Sequence, residues 1–384
     1  MPQGNRTARR AALHGDDPAA LARELAVRLD AANSAAVVFF ISPLIDRDAF
    51  AAAAREAFAG TIALGCTTAG ELGPNGMDQD SVVGFSLPRG AFHAAGSRIE
   101  DIAGFTVAAG GEMVSALKAD LAAQGVQPAA ERTFAMLLVD GLSVREELVA
   151  SSLSAALGDI ALFGGSAGDG LRFEGTHVYA DGGFRTGAAA LLLVHTELPF
   201  RVFKTQHLTG TDTKLVVTEA DAPSRVVREI DGEPADQAYA RLVGVDVSAL
   251  TPEVFAAHPV VVRLGGQQFV RSIQKRNGDG SLTFYCAIEE GLVLSLAQAG
   301  DLHGMLGEAF RQIALEIGPP QLIIGCDCIL RRLEVDRTGA RERVSRLLEE
   351  HHVVGFSTYG EQINGMHVNQ TFTGVAIGSL PKAA

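Results

Sequence analysis

The chain repeats itself, and that repetition limits the folds open to it more than any other feature. Gly65-Cys66-Thr67-Thr68-Ala69-Gly70-Glu71 and Gly355-Phe356-Ser357-Thr358-Tyr359-Gly360-Glu361 both read G-x-[ST]-T-x-G-E. Each is followed by an apolar run ending in Ser-Leu-Pro, at Ser86-Leu87-Pro88 and at Ser379-Leu380-Pro381. The upstream frames also match. Apolar residues recur at helical spacing over 18–31 and 302–317, followed by a short apolar strand at 36–41 or 321–325. A second helix, at 47–59 or 340–351, then delivers the chain to the motif. A looser third copy runs from a helix at 112–123 through strand 134–139, helix 145–157 and strand 160–163. It ends in the turn Gly164-Gly165-Ser166-Ala167-Gly168-Asp169-Gly170.

Strands alternating with helices of this length predict α/β units. The stretch from about 189 to 290 differs. Strand-like runs at 189–194, 200–206, 215–217, 226–230, 260–264, 269–275 and 282–288 are broken by turns at Asp231-Gly232-Glu233-Pro234 and Asn277-Gly278-Asp279-Gly280. The expected fold is therefore mixed α/β. Repeated helix–strand–helix–strand–Gly-turn units form two pseudo-symmetric halves with mixed sheets, joined by an antiparallel β segment. The seam is expected near 218–225, giving a flexible tail at 1–17, a first domain at 18–223 and a second at 224–384.

Composition narrows the function classes. With 32 Lys+Arg against 45 Asp+Glu the net charge is −13, which disfavours a nucleic-acid partner. Four cysteines imply no disulfide framework and point to a reducing compartment. The apolar runs are far shorter than the roughly 18 residues of a membrane helix, and the polar N-terminus has no signal core. A cytoplasmic protein without a membrane partner is expected.

The glycine turns have two readings. Small residues let backbone N–H groups point outward as an anion-binding nest, giving a ligand pocket lined by Thr67, Thr68, Glu71, Ser166, Asp169, Ser357, Thr358 and Glu361. Alternatively they form tight strand–turn–strand elements in which Glu71 and Glu361 cap free amides. No nucleotide-binding signature, nucleophile elbow or defensible catalytic grouping is present, so no enzyme activity is expected.

Taken together, GCTTAGEL, FGGSAGDG and GFSTYGEQINGMHVNQTFTG resemble the FIST sensory domain, with both its N-terminal and C-terminal parts. The DGEP turn and the AIEEG stretch at 287–291 are similar as well, and the resemblance spans about 31–380. It implies a signal-transduction input module that binds a small ligand and has no assigned catalysis. One bacterial branch of that family is similar in being a stand-alone haemoprotein that senses nitric oxide. That branch implies a two-component histidine kinase as partner, with cyclic-di-GMP and biofilm behaviour downstream. A second option is a non-haem ligand such as an amino acid. Self-association into a homodimer is the remaining partner expectation.

A haem sensor needs an axial ligand, usually imidazole. Among ten histidines, His207 is the first choice for the iron, at a strand end beside the expected seam, and His367 the second. For both, a hydrogen-bonded structural role stays open. Cys326-Asp327-Cys328, with Cys66, lacks the second pair that structural zinc requires. Arg331 and Arg332, with Arg341 and Arg343, could meet haem propionates or an acidic partner, but read foremost as a solvated helix face.

Overall fold

The computed structural model describes residues 7–264 and 266–379. The second Ser-Leu-Pro therefore ends outside the described residues, as do the first six residues of the expected tail. Three six-stranded sheets and one larger antiparallel sheet make up the molecule.

Each six-stranded sheet has the same strand order, which is the repeat made visible. In the first, Arg9–Leu13 pairs with Val82–Pro88, which pairs with Ser34–Ile41, and this runs parallel to Ile62–Thr67. In the second the order is Phe92–Ile99, Ala189–Thr196, Thr133–Val139 and Ala161–Ser166. In the third it is Phe200–Thr205, Phe372–Ile377, Leu322–Cys328 and Val353–Thr358. In every case the parallel pair is joined through at least one helix, as parallel strands require.

The last two strands of each sheet come from another unit. The hairpin Glu71–Gly73/Gly76–Asp78, which follows the first motif, pairs with Val353–Thr358 in the third sheet. The hairpin after the last motif, Glu361–Ile363/Met366–Val368, pairs with Ala161–Ser166 in the second. Val178–Ala180/Gly183–Arg185 closes the cycle on Ile62–Thr67 in the first. Each unit thus covers the open edge of its neighbour, which removes three edges that would otherwise invite aggregation.

This arrangement explains why the central strands are apolar throughout. In Ser34–Ile41, Ala36, Val38 and Phe40 face the shared centre, where they meet Phe134, Met136 and Leu138 of the second sheet and Ile324, Cys326 and Phe356 of the third. The Phe40 and Phe356 rings stack with centroids 4.5 Å apart. The alternate residues Val37, Phe39 and Ile41 face the helices Pro18–Arg28 and Arg47–Ala57. Strands buried on both faces read as continuous hydrophobic runs rather than as an alternation.

The mixed α/β expectation holds, and the units number three, each with its own sheet. The antiparallel segment is inserted within the third unit, between the strand Phe200–Thr205 and the helix Leu302–Ile317. Its central strand, Leu208–Asp221, pairs with both Val226–Ile230 and Val293–Ala299, so the expected seam at 218–225 lies inside one sheet. The expected tail contains the edge strand Arg9–Leu13, held by its pairing to Val82–Ser86. Among the described residues no helix is long and apolar enough to cross a membrane.

The first glycine of each turn is fixed by the parallel ladder. A Cβ added to Gly65 would lie 2.6 Å from the Phe39 carbonyl oxygen, to Gly164 2.1 Å from that of Leu137, and to Gly355 1.8 Å from that of Gly325. Backbone cannot yield as a side chain can. Gly355→Ala should therefore cost about 3 kcal/mol in denaturant unfolding. Gly111→Ala, on the helix Val107–Ala123 with nothing near its added methyl, should instead stabilise by about 0.5–1 kcal/mol. Equal effects of the two substitutions would contradict this reading.

Candidate functional site

The three motif turns lie where the parallel strands end, on the carboxyl side where α/β sheets place ligands. They are tied to one another through the backbone. The Ala69 amide donates to the Ser357 carbonyl at 2.9 Å, and the Ser357 amide to that of Gly70 at 2.7 Å. Ser166 donates to Gly360 at 2.8 Å, Tyr359 to Ser166 at 3.2 Å, and Gly168 to Thr67 at 3.0 Å. The Thr67 hydroxyl accepts from the His177 amide at 3.0 Å.

Glu71 and Glu361 perform the same task in their copies. The Thr68 hydroxyl donates to one Glu71 oxygen, while the Ser81 amide and hydroxyl donate to the other at 3.3 and 3.1 Å. The Thr358 hydroxyl donates to Glu361, whose second oxygen accepts from the Thr371 amide and hydroxyl at 3.1 and 2.7 Å. Each carboxyl clasps the start of its hairpin to the residue ten positions on, beyond the hairpin's end. Burial pushes Glu71 up to about 7 and Glu361 up to about 8, against the opposing pull of these hydrogen bonds. The middle copy uses Asp169 differently. Burial alone would raise its pKa, but the Tyr359 hydroxyl and the amides of Gly175, Glu174 and Phe173 hold it below the usual range. Ser166 accepts from Gln362 at 2.9 Å, and Ser357 is fully buried with an unpartnered hydroxyl.

A cavity of about 360 Å³ opens beside the first and middle turns. Thr68, Gly70 and Glu71 line one wall and Asp169 and Gly170 another. The helix Ile329–Arg337 closes it with Ile329, Arg332 and Leu333, and Leu44 stands at its exposed side. Thr67, Ser166, Ser357, Thr358 and Glu361 belong to the hydrogen-bonded turns and do not line this cavity.

The same helix corrects the reading of its arginines as a solvated face. Arg331 is 1% and Arg332 5% exposed. Arg331 Nε donates to Asp327 at 2.5 Å and its Nη1 to His207 Nδ1 at 3.2 Å. Arg332 Nη2 donates to the Asp78 carbonyl at 3.0 Å. Two adjacent arginines in a charged helix carry no sequence signal that tells a cavity wall from a solvent face, so the reading from sequence named Arg332 but placed it foremost in solvent. Arg341 pairs with Asp336, and Arg343 meets His303, both at the surface.

The residues do not fit an axial haem bond at His207. A guanidinium can only donate, so His207 Nδ1 accepts from Arg331 and the ring proton sits on Nε2, which donates to Glu334 at 2.7 Å. Both nitrogens are committed and the side chain is fully buried. At His367, Nδ1 accepts from Gln362 at 3.1 Å while Nε2 has no partner. Burial lowers its pKa to about 4, so the ring is neutral. That ring edge, however, is packed on the turn, because a Cβ on Gly360 would lie 2.6 Å from Nε2. The four cysteines are buried. Among the described residues no group of three or more His, Cys, Asp or Glu side chains is placed to hold a metal ion.

With this geometry in view, comparison with known families gives two matches, a FIST N domain over residues 35–233 and a FIST C domain over residues 235–364. The chain belongs to the FIST family. FIST domains are sensory rather than catalytic and are associated with small-ligand sensing in signal transduction. No curated protein matches the chain.

The clasps predict a pH dependence. The unfolded chain loses the Glu361 proton near pH 4.3, about the ordinary carboxyl value, whereas the folded chain keeps it to about 8. The folded state therefore binds more protons in between, and stability falls as pH rises from roughly 4.3 to 8. Wild-type urea midpoints should decline across this window, and Glu361→Gln should flatten the decline by an amount on the order of a few kcal/mol. Parallel slopes for the two proteins would refute the assignment.

Proposed function

We propose that the protein is a non-haem small-ligand sensor for signal transduction, and that the cavity between the first and middle turns receives the ligand. One observation carries this reading. The cavity joins two of the three motif turns to a buried helix that also grips the start of the antiparallel insert through His207. A ligand touching Arg332 shares that helix with Arg331 and Glu334, the two partners of His207. Occupancy can then shift the insert relative to the units, provided the ligand favours one arrangement over the other. An amino acid is of suitable size for such a space, and a signalling protein that reads the insert is the expected partner. The protein works in the cytoplasm and catalyses no reaction of its own.

A second reading is favoured by the unpartnered Nε2 of His367. In it the chain is a haem-based nitric oxide sensor acting on a histidine kinase, with effects on cyclic-di-GMP and biofilm behaviour. It requires the hairpin Glu361–Val368 to move off Gly360, and the ring proton to pass from Nε2 to Nδ1 with the Gln362 amide turned to accept it, before iron can bind the imidazole.

The two readings separate in solution. For the first, thermal unfolding with a panel of amino acids and small metabolites should show at least one saturable rise in Tm, abolished by Leu44→Trp. Leu44 is 66% exposed, so this substitution obstructs the cavity without touching the core. For the second, haem reconstitution should give a Soret band that His367→Ala removes and His207→Ala keeps. A Soret band lost on His367→Ala, with no ligand-dependent Tm shift, would replace the first reading by the second.

A further inference from the structure

We infer that Arg332 anchors a ligand bearing a single carboxylate, held by its Nη1 edge over Gly70 at the floor of the cavity. This rests on the assignment of that cavity as the ligand site and specifies what it selects.

The guanidinium is built into place. A Cβ on Gly70 would lie 1.9 Å from Nη1 and 2.4 Å from the central carbon, so only glycine leaves room for it. The backbone of Gly70, with φ at +129°, suits glycine for the same turn. Nη2 is held by the Asp78 carbonyl at 3.0 Å and the Gln79 side-chain oxygen at 3.4 Å. Nη1 is buried and has no hydrogen-bond partner. Among the described residues no carboxylate lies within ion-pair distance of Arg332. Asp336, one turn along the helix, is engaged with Arg341, and both oxygens of Glu71 are taken by Thr68 and Ser81.

A buried cation with an open donor edge is costly unless something completes it. A carboxylate oxygen that accepts from this open Nη1 edge forms a charge-assisted hydrogen bond and supplies the missing counter-charge. The rim sets the charge. Asp80, Asp169 and Asp336 line the same cavity against one further cation, the exposed Arg172, whose Nε donates to the Asp169 carbonyl at 3.1 Å, so a second negative charge on the ligand would meet a rim that is acidic on balance. One buried guanidinium facing a rim of three carboxylates and a single exposed arginine selects a monoanion over a phosphate or a dicarboxylate.

The full-length chain would be titrated by calorimetry with acetate, propionate and pyruvate, and with acetamide, succinate and phosphate as the neutral and dianionic controls. At least one monocarboxylate should bind saturably and the three controls should not. Arg332→Gln should weaken that binding at least about tenfold. Arg332→Lys keeps the charge but loses the planar donor edge over Gly70 and should fall between. Leu44→Trp should block binding with Arg332 intact, which keeps the test decisive where Arg332→Gln unfolds. Monocarboxylate affinity unchanged in Arg332→Gln overturns the inference. Acetamide or phosphate binding that Leu44→Trp blocks also overturns it, while leaving the cavity as the ligand site. Loss of both, with neither monocarboxylates nor controls bound by any variant, overturns the carboxylate inference and the cavity assignment together.

Discussion

Three hairpins, each hydrogen-bonded to the sheet of a different unit, hold this protein together. Glu71 pairs with Phe356, Glu361 with Gly165 and Val178 with Cys66, so every unit donates one hairpin and receives another. Removing any one would expose a strand edge and its unpaired backbone groups, at a cost that no local contact replaces. The two buried glutamates secure this exchange. Each binds a hydroxyl before its hairpin and an amide and hydroxyl after it, so the hairpin cannot leave its neighbour's sheet without unbinding the carboxyl.

The exchange also decides where a ligand can sit. It crowds the three turns onto one another through direct backbone bonds, which leaves the Ser166 and Thr358 hydroxyls partnered and the unpartnered Ser357 hydroxyl fully buried. Room remains where the third unit departs from the common frame. The first unit passes from its strand Ser34–Ile41 to its helix through a short loop, whereas the third inserts the helix Ile329–Arg337 at that point. That added helix lays Arg332 on Gly70 and Arg331 on His207, so a single element touches both the cavity and the insert.

Much of the repeat was legible because a helical period and an apolar strand are local signals. The helix Leu302–Ile317 and the strands Val226–Ile230 and Val260–Leu264 fall where periodicity places them. The exchange was not legible, since Glu71 and Phe356 are neighbours through a ladder whose two halves lie far apart in the chain. Arg9–Leu13 reads as a polar tail because an edge strand needs only one apolar face. Val293–Ala299 was hidden by its half-exposed, weakly alternating residues. His207 was singled out for a seam expected near 218–225; it lies instead where the insert leaves the third unit, and its burial against two charged partners depends on Arg331 and Glu334, which are more than a hundred residues away. The arginine pair shows the same limit, for charge alone does not reveal whether a side chain faces water or a cavity.

The exchanged hairpins make the three units one cooperative body. Native-state hydrogen exchange tests it most directly, through the amides of Ala69, Ser166, Gly168, Ser357 and Tyr359, which close the ring of turns. All five should exchange only by global unfolding, with one common free energy that falls together as denaturant is added. Exchange of any one turn at a distinctly lower free energy, while the other two stay protected, would show that its hairpin opens alone and would contradict the claim.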